Sequence, residues 1–168
     1  SPYHLDEDGR YTSSGNSLDA SRGVFGMIYR YIDELKRLGL YKDSTIVITG
    51  DHPTPVDDYV EPDAPRLTAL FVKPAGKSDE PLTTSSAQVS ENNLIPTLVQ
   101  SAGIRTGRSY GKSYFDVPEG QNTERHHYFE ITYENAASAL VDFRVTGPGA
   151  DFDNWTVIGH KDVGWLYK

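Results

Sequence analysis

The fold depends on Thr45-Ile46-Val47-Ile48-Thr49-Gly50-Asp51-His52, an uncharged run, mostly β-branched, that ends in a glycine, a carboxylate and an imidazole. Such a run predicts a strand buried on both faces, as in a parallel sheet. Ligands of open α/β sheets bind just beyond the carboxyl ends of the strands, which is where Asp51 and His52 fall. Adjacent side chains can serve one site only if the backbone turns at once, as Gly50 and Pro53 allow.

An amphipathic helix is predicted before this strand, because apolar residues recur at steps of three and four. They are Val24, Ile28, Tyr31, Ile32, Leu35 and Leu38. Gly39 can end the helix. Gly23 and Gly26 each cost about 1 kcal/mol relative to Ala inside a helix, which indicates close approach of another backbone. Arg30 and Glu34, four residues apart on the other face, predict an ion pair.

The strand is followed by further elements of the same α/β portion. A second short apolar strand is predicted over residues 67–72. Ser90 can cap a helix that runs to about Ala102. Since Pro96 lies too deep for the first turn of a helix beginning at residue 91, the helix is kinked there or begins later, near Asn93.

Two segments without periodicity are predicted as loops. Residues 1–16 are polar and rich in turn-forming residues. The segment Pro53–Pro65 is rich in proline and acidic residues, and it follows Asp51 and His52 directly. Two interpretations of this second loop are open, a loop that contacts a substrate and a solvated connection.

The carboxy-terminal third is different in kind, because it consists of β-branched and aromatic segments separated by turn sequences. Segments of this type lie near residues 126–133, 140–146, 155–159 and 163–167. Short strands at this spacing predict an antiparallel meander. We therefore expect an α/β portion over residues 1–115 and a small β-rich subdomain over residues 116–168.

The composition restricts the classes of partner. The chain has 16 Lys and Arg against 24 Asp and Glu, a formal net charge of -8, and no basic block. This balance argues against nucleic acid or an anionic membrane surface as the main partner. The absence of Cys excludes disulfides and thiolate ligands within these residues. No apolar run approaches the roughly 20 residues of a membrane-spanning helix.

Candidate metal ligands come from two pairs of neighbours. Asp51 and His52 offer a carboxylate oxygen and an imidazole nitrogen, which suit zinc, manganese or related ions. An adjacent Asp and His is more often a capping or hydrogen-bonding pair, and a catalytic zinc site usually takes about three protein ligands. For His126 and His127 on a strand, one ring would face inward and one outward, so one core and one surface histidine is the preferred interpretation.

Three collinear stretches give a family resemblance. Residues 38–52 resemble the sulfatase-like division of the alkaline phosphatase superfamily, where a helix ending in L-x-x-x-G-L-Y leads into a strand ending in G-D-H. Residues 71–77 are similar to its I-x-x-P-G-K segment, and residues 88–104 to its Q-V-D-x-x-P-T-L-x-x-x-A-G-I segment. Thr49 and Gly50 before the Asp favour the lipoteichoic acid synthase and phosphoglycerol transferase branch.

The resemblance implies an alkaline-phosphatase-like sheet with flanking helices and an extracytoplasmic metalloenzyme acting on phosphate or sulfate esters through a covalent intermediate. It assigns Asp51 and His52 as ligands of a divalent metal ion: manganese, zinc, magnesium or calcium. The nucleophile and further acidic ligands are expected upstream of Ser1. We therefore expect the chain to be the carboxy-terminal portion of a protein anchored at the outer face of the cytoplasmic membrane, inactive by itself.

Three functions are open at this point. The leading one is a phosphoglycerol transferase-like transferase or hydrolase of phosphate esters, including lipid- or glycan-linked substrates. The second is a sulfatase acting on sulfate esters. The third is a non-catalytic cell-surface binding domain whose contacts are made by the β-rich carboxy-terminal part.

Overall fold

The computed structural model describes residues 4–6, 8–13, 15, 17–51, 67–78, 80–105, 107–132 and 138–162. The chain divides into two compact units, which we call unit 1 (residues 1–62 and 68–82) and unit 2 (residues 63–67 and 83–168). Both α-helices and antiparallel sheets are present, and a small antiparallel sheet lies near the carboxyl end. The predicted division into residues 1–115 and 116–168 stays a prediction.

Unit 1 consists of two short strand pairs and one long helix. In chain order its elements are β1 (His4–Leu5), β2 (Tyr11–Thr12), α1 (Ser17–Arg37), β3 (Ile46–Thr49) and β4 (Leu70–Lys73). β1 pairs with β2, and β3 pairs with β4. Among the described residues, neither helix combines the length and the hydrophobicity of a membrane-spanning segment.

The predicted helix is confirmed as α1, and Gly39 follows its end with a φ of 72°. Gly23 is buried, and a Cβ placed on it would lie 2.4 Å from the carbonyl oxygen of Leu5. The expected close backbone approach is therefore confirmed at Gly23, where β1 crosses the helix. The predicted pairing of Arg30 with Glu34 is wrong, because Glu34 accepts instead from Arg37 Nη2 at 2.6 Å, and Arg30 Nη2 donates to the Asp8 carbonyl oxygen at 2.7 Å.

The amino-terminal segment is a hairpin rather than the predicted loop. β1 and β2 pair antiparallel, with Leu5 opposite Tyr11. The turn is built by Asp6, whose carboxylate accepts hydrogen bonds from the backbone N–H groups of Asp8 (3.0 Å) and Arg10 (2.8 Å). An Asp side chain that bonds to the following backbone stabilises a turn locally, so two residues on each side suffice to close the hairpin.

β3 pairs antiparallel with β4, with Ile46 opposite Lys73 and Thr49 opposite Leu70. The expectation of a parallel strand buried on both faces is therefore wrong for the described residues, in which β3 is partly buried. An apolar run indicates that both faces of a strand are covered to some degree. It does not indicate whether the neighbouring strand is parallel or antiparallel. Phe71 of β4 contacts Phe25 of α1 edge to face, with ring centroids 6.2 Å apart.

The Lys73 side chain links the start of β3 to the end of β4 through hydrogen bonds. Its Nζ donates to the carbonyl oxygens of Ser44 (2.9 Å), Lys42 (3.2 Å) and Pro74 (3.2 Å). The same nitrogen lies 4.6 Å from the centroid of the Tyr41 ring, within the range of a cation–π interaction. Burial lowers the pKa of Lys73 below its ordinary value. The cation thus acts as a structural cross-link.

Unit 2 begins with short helices and ends in a three-stranded sheet. Its elements are a 3₁₀ turn (Glu91–Asn93), α2 (Leu94–Ser101), a 3₁₀ turn (Tyr114–Asp116), β5 (Glu124–Thr132), β6 (Ser138–Thr146), a 3₁₀ turn (Phe152–Asn154) and β7 (Trp155–Asp162). The later start predicted for the helix after Ser90 is confirmed, since α2 begins at Leu94. Pro96 then lies in its first turn, where the missing N–H removes no hydrogen bond.

The large apolar side chains of α2 are not the ones that it buries most deeply. Ile95 and Leu98 are 53% and 46% exposed, whereas Pro96 and Thr97 are buried. The Thr97 hydroxyl donates to the Asn93 carbonyl oxygen at 2.6 Å and accepts from the Tyr114 backbone N–H at 2.8 Å. A polar side chain is therefore buried because both of its hydrogen-bonding roles are satisfied.

The predicted antiparallel meander is confirmed for β5, β6 and β7, which lie side by side in that order. Its fourth predicted segment, residues 163–167, lies outside the described residues. The central strand buries Val141 and Val145, and Val117 is buried elsewhere in unit 2. An aromatic cluster forms around Trp155, whose ring lies 5.7 Å from that of Phe143.

Candidate functional site

The predicted site lies at the end of β3. Thr49 is its last residue, and Gly50 and Asp51 follow at exposed positions. His52 and the acidic loop over residues 53–65 lie outside the described residues. The structure thus places the Asp51 carboxylate at an accessible strand end, as predicted, and does not describe the imidazole next to it.

The connection from α1 to β3 fixes the direction in which that strand enters the sheet. Gly39 permits the reversal after the helix, and the Leu40 N–H returns to the Leu35 carbonyl oxygen at 2.9 Å. The Ser44 hydroxyl donates to the Leu40 carbonyl oxygen at 2.8 Å just before the strand. Each hydrogen bond spans a few residues, so the sequence from the helix end to β3 specifies this geometry locally.

Asp51 suits a divalent cation, because a carboxylate is a hard oxygen ligand. In the part of the chain that the structure describes, no group of three or more His, Cys, Asp or Glu side chains is arranged to hold a metal ion. Asp51 is therefore one candidate donor, and the described residues do not complete a ligand set around it. The assignment of Asp51 and His52 as metal ligands stays a prediction.

One side of α1 carries an exposed apolar stripe. We define the α1 stripe as Val24, Met27, Tyr31 and Leu38, which are 51%, 48%, 66% and 51% exposed. Val24, Met27 and Tyr31 are separated by three and four residues, so they lie along one side of the helix, and Leu38 follows directly after its end. The other residues of the predicted apolar face, Ile28, Ile32 and Leu35, are partly buried. Contiguous exposed apolar residues commonly mark a contact surface.

The neighbouring histidines of β5 lie on opposite faces of the sheet, as predicted. His126 Nδ1 lies 2.9 Å from Asp142 Oδ1, and the His127 ring lies 5.3 Å from that of Trp155. Both histidine side chains are 40% exposed, so the expectation of one core histidine is wrong. On the inner side, His127 packs against the Trp155 ring, and its Nδ1 lies 3.8 Å from Oε1 of the exposed Glu91. These two neighbours leave the His127 ring partly exposed.

Sequence reasoning missed a cavity of about 290 Å³ in unit 2, at the start of β5, which we call the β5 cavity. Its lining residues include Gln88, Asn92, Lys112, Glu124, Arg125 and His126. Of these, the sequence singled out His126 alone, because no motif joins residues this far apart along the chain. Gln88 belongs to a stretch of the family resemblance, but nothing in that stretch indicates a cavity.

No protein-family model, curated protein or solved structure matches this chain. The family assignment therefore depends on the three stretches of sequence that resemble the sulfatase-like division. In the structure these stretches contain the turn after α1 with β3, most of β4 with its following turn, and α2 with its preceding 3₁₀ turn. The three stretches therefore include connections and turns next to these elements as well as the elements themselves.

Proposed function

We propose that this chain contributes Asp51 and His52 to the metal site of an extracytoplasmic transferase or hydrolase of phosphate esters, of the phosphoglycerol transferase kind. In this proposal it forms the carboxy-terminal portion of an alkaline-phosphatase-like domain, and preceding residues supply the nucleophile and the remaining ligands. The observation that carries the proposal is the exposed Asp51 carboxylate at the end of β3, preceded by α1 in the order that the resemblance requires.

The charge at this strand end supports a cation-dependent function. Asp51 is a carboxylate in a chain with a formal net charge of -8, so by itself it repels an anionic ester. A divalent cation reverses the local sign, and when bound it stabilises the negative charge that develops on ester oxygens. The role of Asp51 is to hold and orient that cation.

The α1 stripe supports the proposal that further elements of the same domain pack on this part of the chain. α1 contacts β4 through Phe25 on one side, whereas the stripe leaves four apolar side chains about half exposed or more. Helices in α/β domains bury such stripes against other elements. A preceding half of the domain would cover this surface.

The direct experiment is to compare Asp51→Asn with Asp43→Asn in the full-length protein. Asp43 is exposed and precedes β3, whereas Asp51 follows it, so the two variants remove the same charge on opposite sides of one strand. We expect Asp51→Asn to weaken metal binding and phosphate-ester turnover by about 100-fold or more, since even indirect partners of metal ligands contribute about 10- to 100-fold. Asp43→Asn should stay within about twofold of the unchanged protein. Metal content and turnover are measured on the same preparations.

Equal metal content and turnover in the two variants would exclude Asp51 as a ligand. Phosphate-ester and sulfate-ester substrates tested side by side with the full-length protein separate the proposed activity from that of a sulfatase. The isolated chain should show no turnover, so Asp51-dependent turnover by these residues alone would contradict the division of the site. A full-length protein without metal or turnover would favour a binding domain.

A further inference from the structure

The β5 cavity lies entirely within unit 2. The first residues of β5 form one wall, the 3₁₀ turn Glu91–Asn93 contributes a second, and Lys112 contributes a third. Its volume of about 290 Å³ is close to the lower end of the range of small-molecule sites, which is about 300–1,000 Å³. The cavity is therefore large enough for a small ligand.

Hydrogen bonds between the lining residues hold the walls in place. Gln88 Oε1 accepts from the Thr123 N–H at 3.1 Å and from Arg125 Nη1 at 2.9 Å. Asn93 Nδ2 donates to the Lys112 carbonyl oxygen at 2.9 Å, which ties the Lys112 segment to the 3₁₀ turn. A ligand would find a preformed cavity, because these bonds exist without it.

The lining is rich in basic groups although the chain as a whole is acidic. Lys112, Arg125 and His126 line the cavity together with one carboxylate, Glu124, whereas the whole chain has a formal net charge of -8. The Arg125 guanidinium also donates to the Gly147 carbonyl oxygen at 2.6 Å. Burial lowers the pKa of Arg125, but an arginine remains charged in proteins. Arg125 thus supplies positive charge from within the wall.

Three lining residues carry polar groups that remain for a ligand. Lys112 and Asn92 offer donors, and His126 offers one at Nε2 when its ring carries both protons, because Nδ1–H is directed to the Asp142 carboxylate. His126 Nδ1 is held 2.9 Å from Asp142 Oδ1, and Nε2 has no described partner nearer than Glu124 Oε1 at 4.0 Å. The Lys112 amine and the Asn92 amide make no hydrogen bond or ion pair with any residue in the described ranges. An amine, an amide and an imidazolium on residues that line one cavity suit an anion with several acceptor oxygens.

We propose that the β5 cavity binds a small tetrahedral oxyanion, namely phosphate or the phosphate group of a monoester, through Lys112, Asn92 and the protonated ring of His126. A tetrahedral anion presents oxygens in several directions, so it can accept from donors on separate walls, whereas the two oxygens of a carboxylate lie in one plane. Arg125 adds to the positive potential, and Glu124 opposes it. This inference concerns unit 2 alone and does not depend on a metal at Asp51.

The experiment is a titration of the full chain with inorganic phosphate at one fixed, mildly acidic pH and constant ionic strength, followed by backbone and imidazole NMR resonances. We expect saturable shifts at Asn92, Lys112 and His126. Lys112→Gln should weaken binding about tenfold, the effect of losing one charge-assisted hydrogen bond. Lys161→Gln, which removes the same charge from an exposed position of β7, should stay within twofold. Glu124→Gln should strengthen binding.

Strengthened binding in Glu124→Gln is the sharpest result, because a damaged fold cannot produce it. Equal weakening in Lys112→Gln and Lys161→Gln would overturn the proposal, since it would show a response to overall charge. Shifts that do not saturate, or that spare the three proposed donors, would overturn it as well. Sulfate should compete with phosphate, and acetate binding as tight as that of phosphate would overturn the assignment to a tetrahedral anion.

Discussion

Unit 1 and unit 2 differ in how deeply they bury their side chains. Among the described residues of unit 1, only Gly23 is buried. Unit 2 buries aliphatic side chains of its central strand, such as Val141, and also satisfied polar side chains, such as Thr97. The strand end with Asp51 thus belongs to the unit with less core of its own. Specific contacts such as those of Lys73, rather than burial, hold its described strands together.

We expect the largest difference between the units in the free energy of unfolding that two matched valine-to-alanine variants lose. Val141→Ala should lower the free energy of unfolding by about 2–3 kcal/mol, because the side chain is 1% exposed and its loss leaves a cavity. Val24→Ala should change it by no more than about 0.5 kcal/mol, since Val24 is 51% exposed and Ala is the better helix former. Denaturant titration followed by residue-resolved hydrogen exchange measures both.

Residue-resolved detection is needed because two units need not unfold in one transition. Protection should fall in the β6 amides of Val141→Ala and stay unchanged in the α1 amides of Val24→Ala. If Val24→Ala lowered the free energy of unfolding as much as Val141→Ala, the proposed difference in burial between the two units would be contradicted. Such a loss would show that the α1 stripe is covered in solution, and a dependence on protein concentration would identify a second copy as the cover.

A smaller effect is expected from the buried hydroxyl of unit 2. Thr97→Val should destabilise unit 2 by about 1–2 kcal/mol, because the Tyr114 N–H loses its acceptor in a buried place. Thr97→Ser keeps the hydroxyl and serves as the control, with a loss about half as large or less. Faster exchange of the Tyr114 amide in Thr97→Val alone would confirm the cause, and equal exchange in both variants would contradict it.

The smallest effect is expected at Lys73 in unit 1. Lys73→Met should cost about 1 kcal/mol, since water can reach the partly exposed carbonyl oxygens that the amine leaves behind. Exchange should become faster at the Gly76 amide, which donates to the Lys42 carbonyl oxygen at 2.7 Å. Lys42→Met removes an exposed amine nearby and should leave this exchange unchanged. Equally fast exchange of the Gly76 amide in both variants would show that the Lys73 amine does not link β3 to β4.

Local patterns in the sequence were sufficient to predict α1, its end at Gly39 and the meander of unit 2. Each of these follows from periodicity or from turn residues within a short window. The amino-terminal hairpin was missed because two residues on each side give no period, and its signal is the Asp6 side chain that closes the turn. The direction of β3 relative to β4 was missed for a different reason, since an apolar run does not encode it.

Contacts between distant residues were beyond the reach of one sequence. The β5 cavity depends on Gln88 and Arg125, which are 37 residues apart. The burial of Thr97 depends on the Tyr114 N–H, which is 17 residues away. For the candidate site, the sequence predicted where Asp51 falls relative to its strand, and His52 stays a prediction outside the described residues.

The crossing of β1 over α1 makes sequence tolerance at two neighbouring positions very unequal. A Cβ at Gly23 would meet the carbonyl oxygens of Leu5 at 2.4 Å and Asp6 at 2.5 Å, so any other residue forces the hairpin away from the helix. Val24, one position later, is half exposed and can accept many side chains. In a library randomised at both positions, position 23 alone would report whether the amino-terminal hairpin is docked.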